Sequence, residues 1–227
     1  MHSASRCTYP GRVLIAGSVD LEEVLTRLAS RRPVFHSEAD LQLALAWQVR
    51  EANPAMNVRL ETRPAPSMHL DMAFETEGYF TAIELKYPTR KWDGVVDGEQ
   101  YLLKHHGAPD PGRYFIVKDI ARVERFAALR ADAHANGAVV VLTNDAAYWT
   151  SMPETSANDR AFRVGDGDTL EPGIHDFTRA TASTRGLDAL TLTGTYNLHW
   201  TDYESAPDAG GPRLRQLVIE VPGVGLA

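Results

Sequence analysis

The order of elements in the sequence predicts an α/β fold with a central mixed sheet. Residues 68–75 and 79–88 alternate apolar and polar side chains, which is the period of half-buried strands, and a further strand over 57–63 precedes them. Residues 138–142, Ala-Val-Val-Val-Leu, form a continuous run typical of a strand buried on both faces. Helices before and between these strands complete an αβββαβ core, which a C-terminal β extension follows.

Two helices are predicted ahead of the first strand. Residues 20–30 place apolar side chains at i, i+3, i+4 and i+7, and Pro33 ends that helix. Ser37 caps a second helix that Pro54 closes. The apolar stripe of this second helix consists of Leu41, Leu45 and Val49.

The segment after the third strand is predicted to be a long loop followed by a helix. Residues 89–111 are rich in Gly, Asp and His, and long loops of this kind are often functional. Residues 113–136 read as a helix that Gly137 terminates, with its buried stripe at Ile116, Ile120, Val123 and Ala127. A strand, a helix and a buried strand in succession suggest a right-handed parallel crossover.

The C-terminal part has a weaker pattern. Residues 151–184 are predicted to be an extended loop region, and 190–200 and 214–221 are predicted to be strands. These strands could extend the sheet as a hairpin or form a small separate sheet. We therefore expect one domain, with a helical extension over 1–35, a core over 36–145 and a C-terminal extension over 146–227.

Charge and composition limit the possible partners. The 227 residues carry a net charge of −7, and all of it comes from residues 131–227, because residues 1–130 hold 17 basic and 17 acidic side chains. A nucleic-acid surface is therefore expected on the first part. The chain has no apolar run long enough for a membrane span, no N-terminal signal pattern and one cysteine, Cys7, which together predict a cytoplasmic protein.

Three charged residues stand on one predicted strand surface. Asp71 lies in the first strand of a hairpin whose turn contains Gly78, and Glu84 and Lys86 share a face of the second strand. Pairing the strands brings two carboxylates and one ammonium together. Mg²⁺ binds in proteins through one or two carboxylates together with substrate phosphate, so this surface is a candidate metal site.

Asp71 followed across a hairpin by Glu84-Leu85-Lys86 resembles the PD-(D/E)XK nuclease superfamily, which has the restriction-endonuclease-like fold. The resemblance extends from about His36 to Asp145. It implies a metal-dependent nuclease that hydrolyses phosphodiester bonds, with DNA favoured over RNA. The expected cofactor is Mg²⁺ or Mn²⁺.

The resemblance also implies roles for single residues. Asp71 and Glu84 would hold the metal together with the main-chain carbonyl of Leu85, and Lys86 would orient the attacking water. Glu38, at the start of the second helix, would support a second ion or a ligand water. A first-turn Glu that only complements the helix dipole is the competing interpretation of Glu38.

Further basic residues are candidate contacts to nucleic acid. These are Arg113, Lys118 and Arg122 on the predicted helix and His106 in the loop before it. Lys118 and Arg122 are four residues apart and share a helix face. An ion pair between Asp119 and Arg122 is the alternative for Arg122.

Other functions remain open at this stage. Asp71, Glu84 and Lys86 could form only a solvated ion-paired strand face. His69, Asp71 and Glu84 could together bind a transition metal, as in facial-triad oxygenases. The protein could also be a non-catalytic binding module of the same fold with a protein partner, because a fold does not fix a function.

Overall fold

A six-stranded mixed sheet organises the part of the chain that the computed structural model describes, residues 12–130, 134–151, 158–203 and 211–223. The strands are β1 (Leu14–Ile15), β2 (Val19–Asp20), β3 (Asn57–Ala65), β4 (Met68–Thr76), β5 (Tyr79–Lys86), β6 (Trp92–Val96), β7 (Glu99–Leu103), β8 (His134–Thr143), β9 (Thr169–Leu170), β10 (Gly173–His175), β11 (Leu190–Leu192), β12 (Tyr196–Asn197), β13 (Trp200–Asp202) and β14 (Arg215–Val221). The helices are α1 (Leu21–Arg31), α2 (Glu38–Ala52), α3 (Pro109–Leu129) and α4 (Ala146–Trp149), and a 3-10 turn covers Arg160–Phe162.

The strand order in the central sheet is β13-β14-β8-β5-β4-β3. β5 and β8 run parallel on either side of α3 in the chain, and the other neighbours are antiparallel. The predicted α/β class, the mixed sheet and the αβββαβ order are therefore confirmed. None of the helices in these described ranges is long and apolar enough to cross a membrane.

The β4–β5 hairpin forms as the alternation predicts. Met72 pairs with Ile83 and Ala73 with Ala82, and Gly78 in the turn has φ of 75°. Ile83 packs on the face covered by α1 and α2, whereas Ala82 packs on the face covered by α3. Alternation along β5 therefore directs Glu84 and Lys86 toward α3.

The two N-terminal helices are confirmed with small changes in their bounds. The Ser37 side chain accepts a hydrogen bond from Asp40 N at 3.2 Å and caps α2, as expected from the sequence. The stripe formed by Leu41, Leu45 and Val49 is buried against the sheet. This fixes the start of α2, where Glu38 is the first helical residue.

The predicted loop over residues 89–111 is wrong. It contains the antiparallel β6–β7 hairpin, and its last residues already belong to α3. Asp97 and Gly98 have φ of 52° and 83°, as a two-residue hairpin turn requires, and Asp-Gly is a strong signal for that turn. Tyr101 and Leu103 are buried against the main core, which anchors the hairpin.

The predicted bounds of α3 are also wrong at both ends. The helix begins at Pro109, because proline is well suited to the first helical turn, and it ends at Leu129. Residues 134–136 pair with β5 as a strand. Gly137 lies inside β8, where a Cβ would collide with the Val123 side chain of α3 and lie only 2.6 Å from the carbonyl oxygen of Ala82 in β5, so this glycine allows α3 to pack closely on the sheet.

The C-terminal extension differs from the prediction as well. Residues 190–200 are three short strands in three different sheets, and only β13 extends the central sheet by pairing with β14. The carboxylate of Glu124 on α3 accepts hydrogen bonds from Thr193 N and Gly194 N and thereby interrupts the strand. The predicted loop over 151–184 contains β9, β10 and the 3-10 turn, and its residues 152–157 lie outside the described part.

Candidate active site at the end of the hairpin

The candidate site lies where β4 and β5 stop pairing. The regular ladder between the two strands ends at Met72 and Ile83. Beyond it, Leu85 N donates to Asp71 Oδ2 at 2.8 Å, so a side chain replaces the backbone partner. Asp71 is thereby held at the end of the β4–β5 ladder, close enough to Glu84 and Lys86 to act on their ionisation.

Glu84 is fully buried beneath α3. Its Oε2 accepts from a guanidinium nitrogen of Arg122 at 2.6 Å. Its Oε1 is also buried, yet it has no hydrogen-bond partner within the described residues. An unpaired buried acceptor costs about 1–3 kcal/mol, so packing alone does not explain why a carboxylate stands here.

Lys86 is held between the strand and α3. Its Nζ lies 2.7 Å from Asp119 Oδ2 and donates to the carbonyl oxygen of Leu85 at 2.9 Å. Asp119 is buried, and its Oδ1 also contacts Arg122 at 3.1 Å, which confirms the helical ion pair considered for Arg122. One turn of α3 therefore holds both charged residues of β5.

Glu38 reaches the same cluster from α2. Its Oε2 accepts from Tyr87 N at 2.8 Å, just beyond the end of β5, while the residue remains exposed to solvent. Partial burial of the carboxylate raises the Glu38 pKa, and the nearby Lys86 ammonium and the Tyr87 N–H limit that rise. The structure thus brings Glu38 to Lys86 and leaves it in contact with water.

The cluster has more acidic than basic groups. It contains the carboxyls of Glu38, Asp71, Glu84 and Asp119 and the cations of Lys86 and Arg122. Burial, followed by repulsion from Asp119 and Asp71, raises the pKa of Glu84 well above its usual range. Burial would lower the pKa of Lys86, but the Asp119 and Glu38 carboxylates outweigh it and the pKa is raised.

A second group of polar residues surrounds Asp71 on the β3 side. Gln42 Nε2 donates to Asp71 O and to Glu61 Oε1, both at 2.8 Å, and His69 Nε2 lies 2.9 Å from Glu61 Oε2. His69 and Asp71 therefore group with Glu61, and not with Glu84 as the facial-triad alternative required. Neither Glu61 nor Gln42 was singled out from the sequence.

The candidate nucleic-acid contacts divide into two classes. Arg113 is buried, and its guanidinium lies 2.5 Å from Asp159 Oδ2. Arg122 donates a hydrogen bond to Glu84. Neither side chain is therefore placed to contact a nucleic acid. Lys118 and His106 are exposed. His106 Nδ1 accepts from Thr89 N at 3.0 Å, which also gives it a role in the loop.

Three exposed basic residues, Arg90, Lys91 and Lys104, flank the base of the β6–β7 hairpin directly after β5; we call them the basic strip. None of the three forms an ion pair with another described residue. The backbone of Arg90 is fixed by Asn144, whose side chain accepts from Arg90 N at 2.7 Å and donates to Arg90 O at 3.2 Å. The strip thus presents three cations that form no ion pair with a described residue, and Asn144 fixes the backbone of one of them.

The raised pKa of Glu84 predicts how stability depends on pH. The folded protein keeps a proton that the unfolded chain releases near pH 4.5, so the free energy of unfolding should fall as pH rises toward about 9. One proton corresponds to at most about 1.4 kcal/mol per pH unit. Urea unfolding at a series of pH values in EDTA should show this fall, and Glu84→Gln should flatten it.

Glu77→Gln, in the exposed hairpin turn, is the matched control and should leave the pH profile as it is. A profile for Glu84→Gln that superimposes on that of the unmodified protein would contradict the raised pKa.

Comparisons with known proteins add no family to this geometry. No family model, no curated protein and no solved structure matches the chain. The arrangement of the residues therefore carries the functional inference.

Proposed function

We propose that the protein is a divalent-metal-dependent nuclease that hydrolyses phosphodiester bonds, with DNA as the favoured substrate and the cytoplasm as its compartment. One observation carries the proposal. Glu84 is fully buried, one of its oxygens has no partner among the described residues, and it belongs to a cluster in which four carboxyl groups face two cations. A divalent cation would replace the proton that Glu84 keeps in the metal-free protein and would bind the unpaired oxygen.

The cluster supplies the type of donor that such a cation needs. Asp71 and Glu84 would hold it, with the Leu85 carbonyl as a further ligand and Glu38 supporting a second ion or a ligand water. These are hard oxygen donors, as Mg²⁺ and Mn²⁺ prefer. When bound, the cation lowers the pKa of a water ligand and offsets charge that develops on the phosphate.

Lys86 would act as a hydrogen-bond donor rather than as a base. Its pKa is raised, because the carboxylates of Asp119 and Glu38 outweigh its burial, so the ammonium stays charged at neutral pH. A charged ammonium can orient a water or a phosphate oxygen but cannot accept a proton. Glu38, which is near Lys86 and open to solvent, is better suited to take up the proton of the attacking water.

Arg122 would compete with a cation for Glu84. Its guanidinium lies 2.6 Å from Glu84 Oε2, and it also contacts Asp119. In the absence of metal it compensates part of the negative charge. Cation binding at Glu84 would weaken this contact. The guanidinium of Arg122 would then remain paired with Asp119, one turn earlier in α3.

The basic strip would contact the phosphate backbone. It follows β5 directly in the chain, and Lys86 is the last residue of β5. A strand of nucleic acid bound to the basic strip would therefore pass close to Lys86. Lys118 and His106 remain candidates for additional contacts. A non-catalytic module with a protein partner would need none of the buried charges, which is why hydrolysis is the preferred proposal.

Asp71→Asn and Lys86→Ala should separate binding from chemistry. Asp71→Asn removes a charged ligand, so calorimetry should show weaker Mn²⁺ binding, and cleavage of DNA or RNA should be lost with it. Lys86→Ala should keep Mn²⁺ binding while slowing cleavage by about 100-fold or more, as for loss of one transition-state donor. Glu77→Gln is the control for both measurements.

An unmodified protein that binds no Mn²⁺ at millimolar concentration, even with substrate present, would contradict the nuclease proposal. It would leave the binding module as the better interpretation.

Arg122→Gln tests the competition at Glu84. The variant should bind Mn²⁺ more tightly, by severalfold, because the competing cation is gone. Without metal it should be less stable by about 1–3 kcal/mol, because the buried carboxyl groups of Glu84 and Asp119 lose a hydrogen-bond donor. Urea unfolding with and without Mn²⁺ measures both effects, and a variant with weaker Mn²⁺ binding would show that Arg122 supports the ion.

The basic strip predicts a salt-dependent contribution to DNA binding. Arg90→Ala with Lys104→Ala should lower the slope of log affinity against log salt by about 2, roughly one for each lost phosphate contact. Fluorescence anisotropy between about 50 and 200 mM salt, with EDTA to prevent cleavage, measures the slope.

Arg179→Ala with Arg185→Ala removes the same charge from exposed positions of the acidic C-terminal part. Equal effects of the two double variants would indicate that net charge, and not the strip, governs binding.

A further inference from the structure

Glu61, His69 and Asp71 stand together on the side of Asp71 that faces β3. Each offers one donor atom, and the three donors lie within 4.8 Å of one another. Two donors on opposite sides of an ion are separated by about 4.2 Å when each is 2.1 Å from it, so small side-chain movements would complete the site. The group comes from two adjacent strands of the central sheet.

The backbone explains why these three side chains converge. His69 and Asp71 are two residues apart in β4 and therefore share a face. Glu61 has φ of 54°, and the β3–β4 register shifts just beyond it, between Thr62 and Ala65. This irregularity in β3 brings the Glu61 carboxylate to the imidazole, at 2.9 Å from Nε2.

Gln42 supports the group from α2. Its amide donates to Glu61 Oε1 and to the main-chain oxygen of Asp71 at 2.8 Å each. Outer hydrogen bonds of this kind orient metal ligands. The Asp71 Oδ2 atom is taken by Leu85 N, which leaves Oδ1 for this side.

These three donors prefer different metals from those that suit the Glu84 cluster, which consists of Glu38, Asp71, Glu84, Asp119, Lys86 and Arg122. One imidazole nitrogen with two carboxylates suits Mn²⁺, Co²⁺ or Zn²⁺, whereas Mg²⁺ prefers oxygen donors and keeps several waters. With a neutral imidazole the set carries two negative charges, which one divalent ion would balance. The His69 and Glu61 side chains are 44% and 56% exposed, so water can complete the coordination.

We propose that Glu61, His69 and Asp71 form a transition-metal site, beside the Glu84 cluster and sharing Asp71 with it. The site goes beyond the nuclease proposal, because it concerns binding and selectivity and does not require catalysis.

Cobalt titration tests the site directly. Co²⁺ added to the unmodified protein near neutral pH should give a visible absorption band that excess Mg²⁺ does not displace and that Zn²⁺ does. His69→Ala should lower Co²⁺ affinity by about 10-fold or more and change the band. Glu61→Gln should also weaken binding, whereas Glu84→Gln should leave the band in place.

His105→Ala, which removes an exposed histidine at the hairpin base, is the matched control and should have no effect. The proposal is overturned if Co²⁺ does not bind, if Mg²⁺ displaces it, or if the His69 variant keeps the same affinity and band. Cleavage that depends on Glu84 and Lys86 while His69→Ala leaves Co²⁺ binding unchanged would reject this site and keep the nuclease. Cobalt binding that His69→Ala weakens, in a protein that cleaves neither DNA nor RNA, would keep this site and reject the nuclease proposal.

Discussion

The burial of Glu84 under α3 is the constraint on which the site depends. A carboxyl group withdrawn from water needs hydrogen-bond partners, and among the described residues the structure meets that need only in part, through the guanidinium of Arg122. Asp119 then has to hold Arg122 and also takes the ammonium of Lys86. The polar contact between β5 and α3 follows from placing one acid in the interior.

This arrangement is costly as a purely structural device. Replacing a buried ion pair by apolar side chains of similar size is often neutral or stabilising, so stability does not require these residues. The surrounding sheet positions are occupied by Ala82, Val139 and Val141, which pack against α3 without charge. Charged residues at the end of β5 are better explained by a ligand, because apolar side chains in their place could not bind it.

The sequence was sufficient for what depends on local periodicity. The hairpin and the shared face of Glu84 and Lys86 follow from the two-residue repeat, and capping by Ser37 follows from the start of an apolar stripe. Asp119 was predicted only as an ion-pair partner of Arg122. Its contact with Lys86 was not predicted, because that contact depends on how α3 packs over β5.

Two further features depend on backbone conformations that alternation does not reveal. Glu61 joins His69 because β3 is irregular, with a positive φ at a glutamate, which is uncommon outside glycine and asparagine. The β6–β7 hairpin depends on the Asp97-Gly98 turn, which was visible in the sequence but lay within a segment rich in loop-forming residues.

Helix α2 connects the two sides of Asp71. Glu38 and Gln42 are four residues apart and so share a face of the helix. Glu38 binds Tyr87 N at the end of β5, and Gln42 binds the Asp71 backbone and Glu61 on the β3 side. Because Ser37 fixes the start of α2 and buried leucines fix its rotation, a shift of this helix would move the Glu84 cluster and the His69 group together.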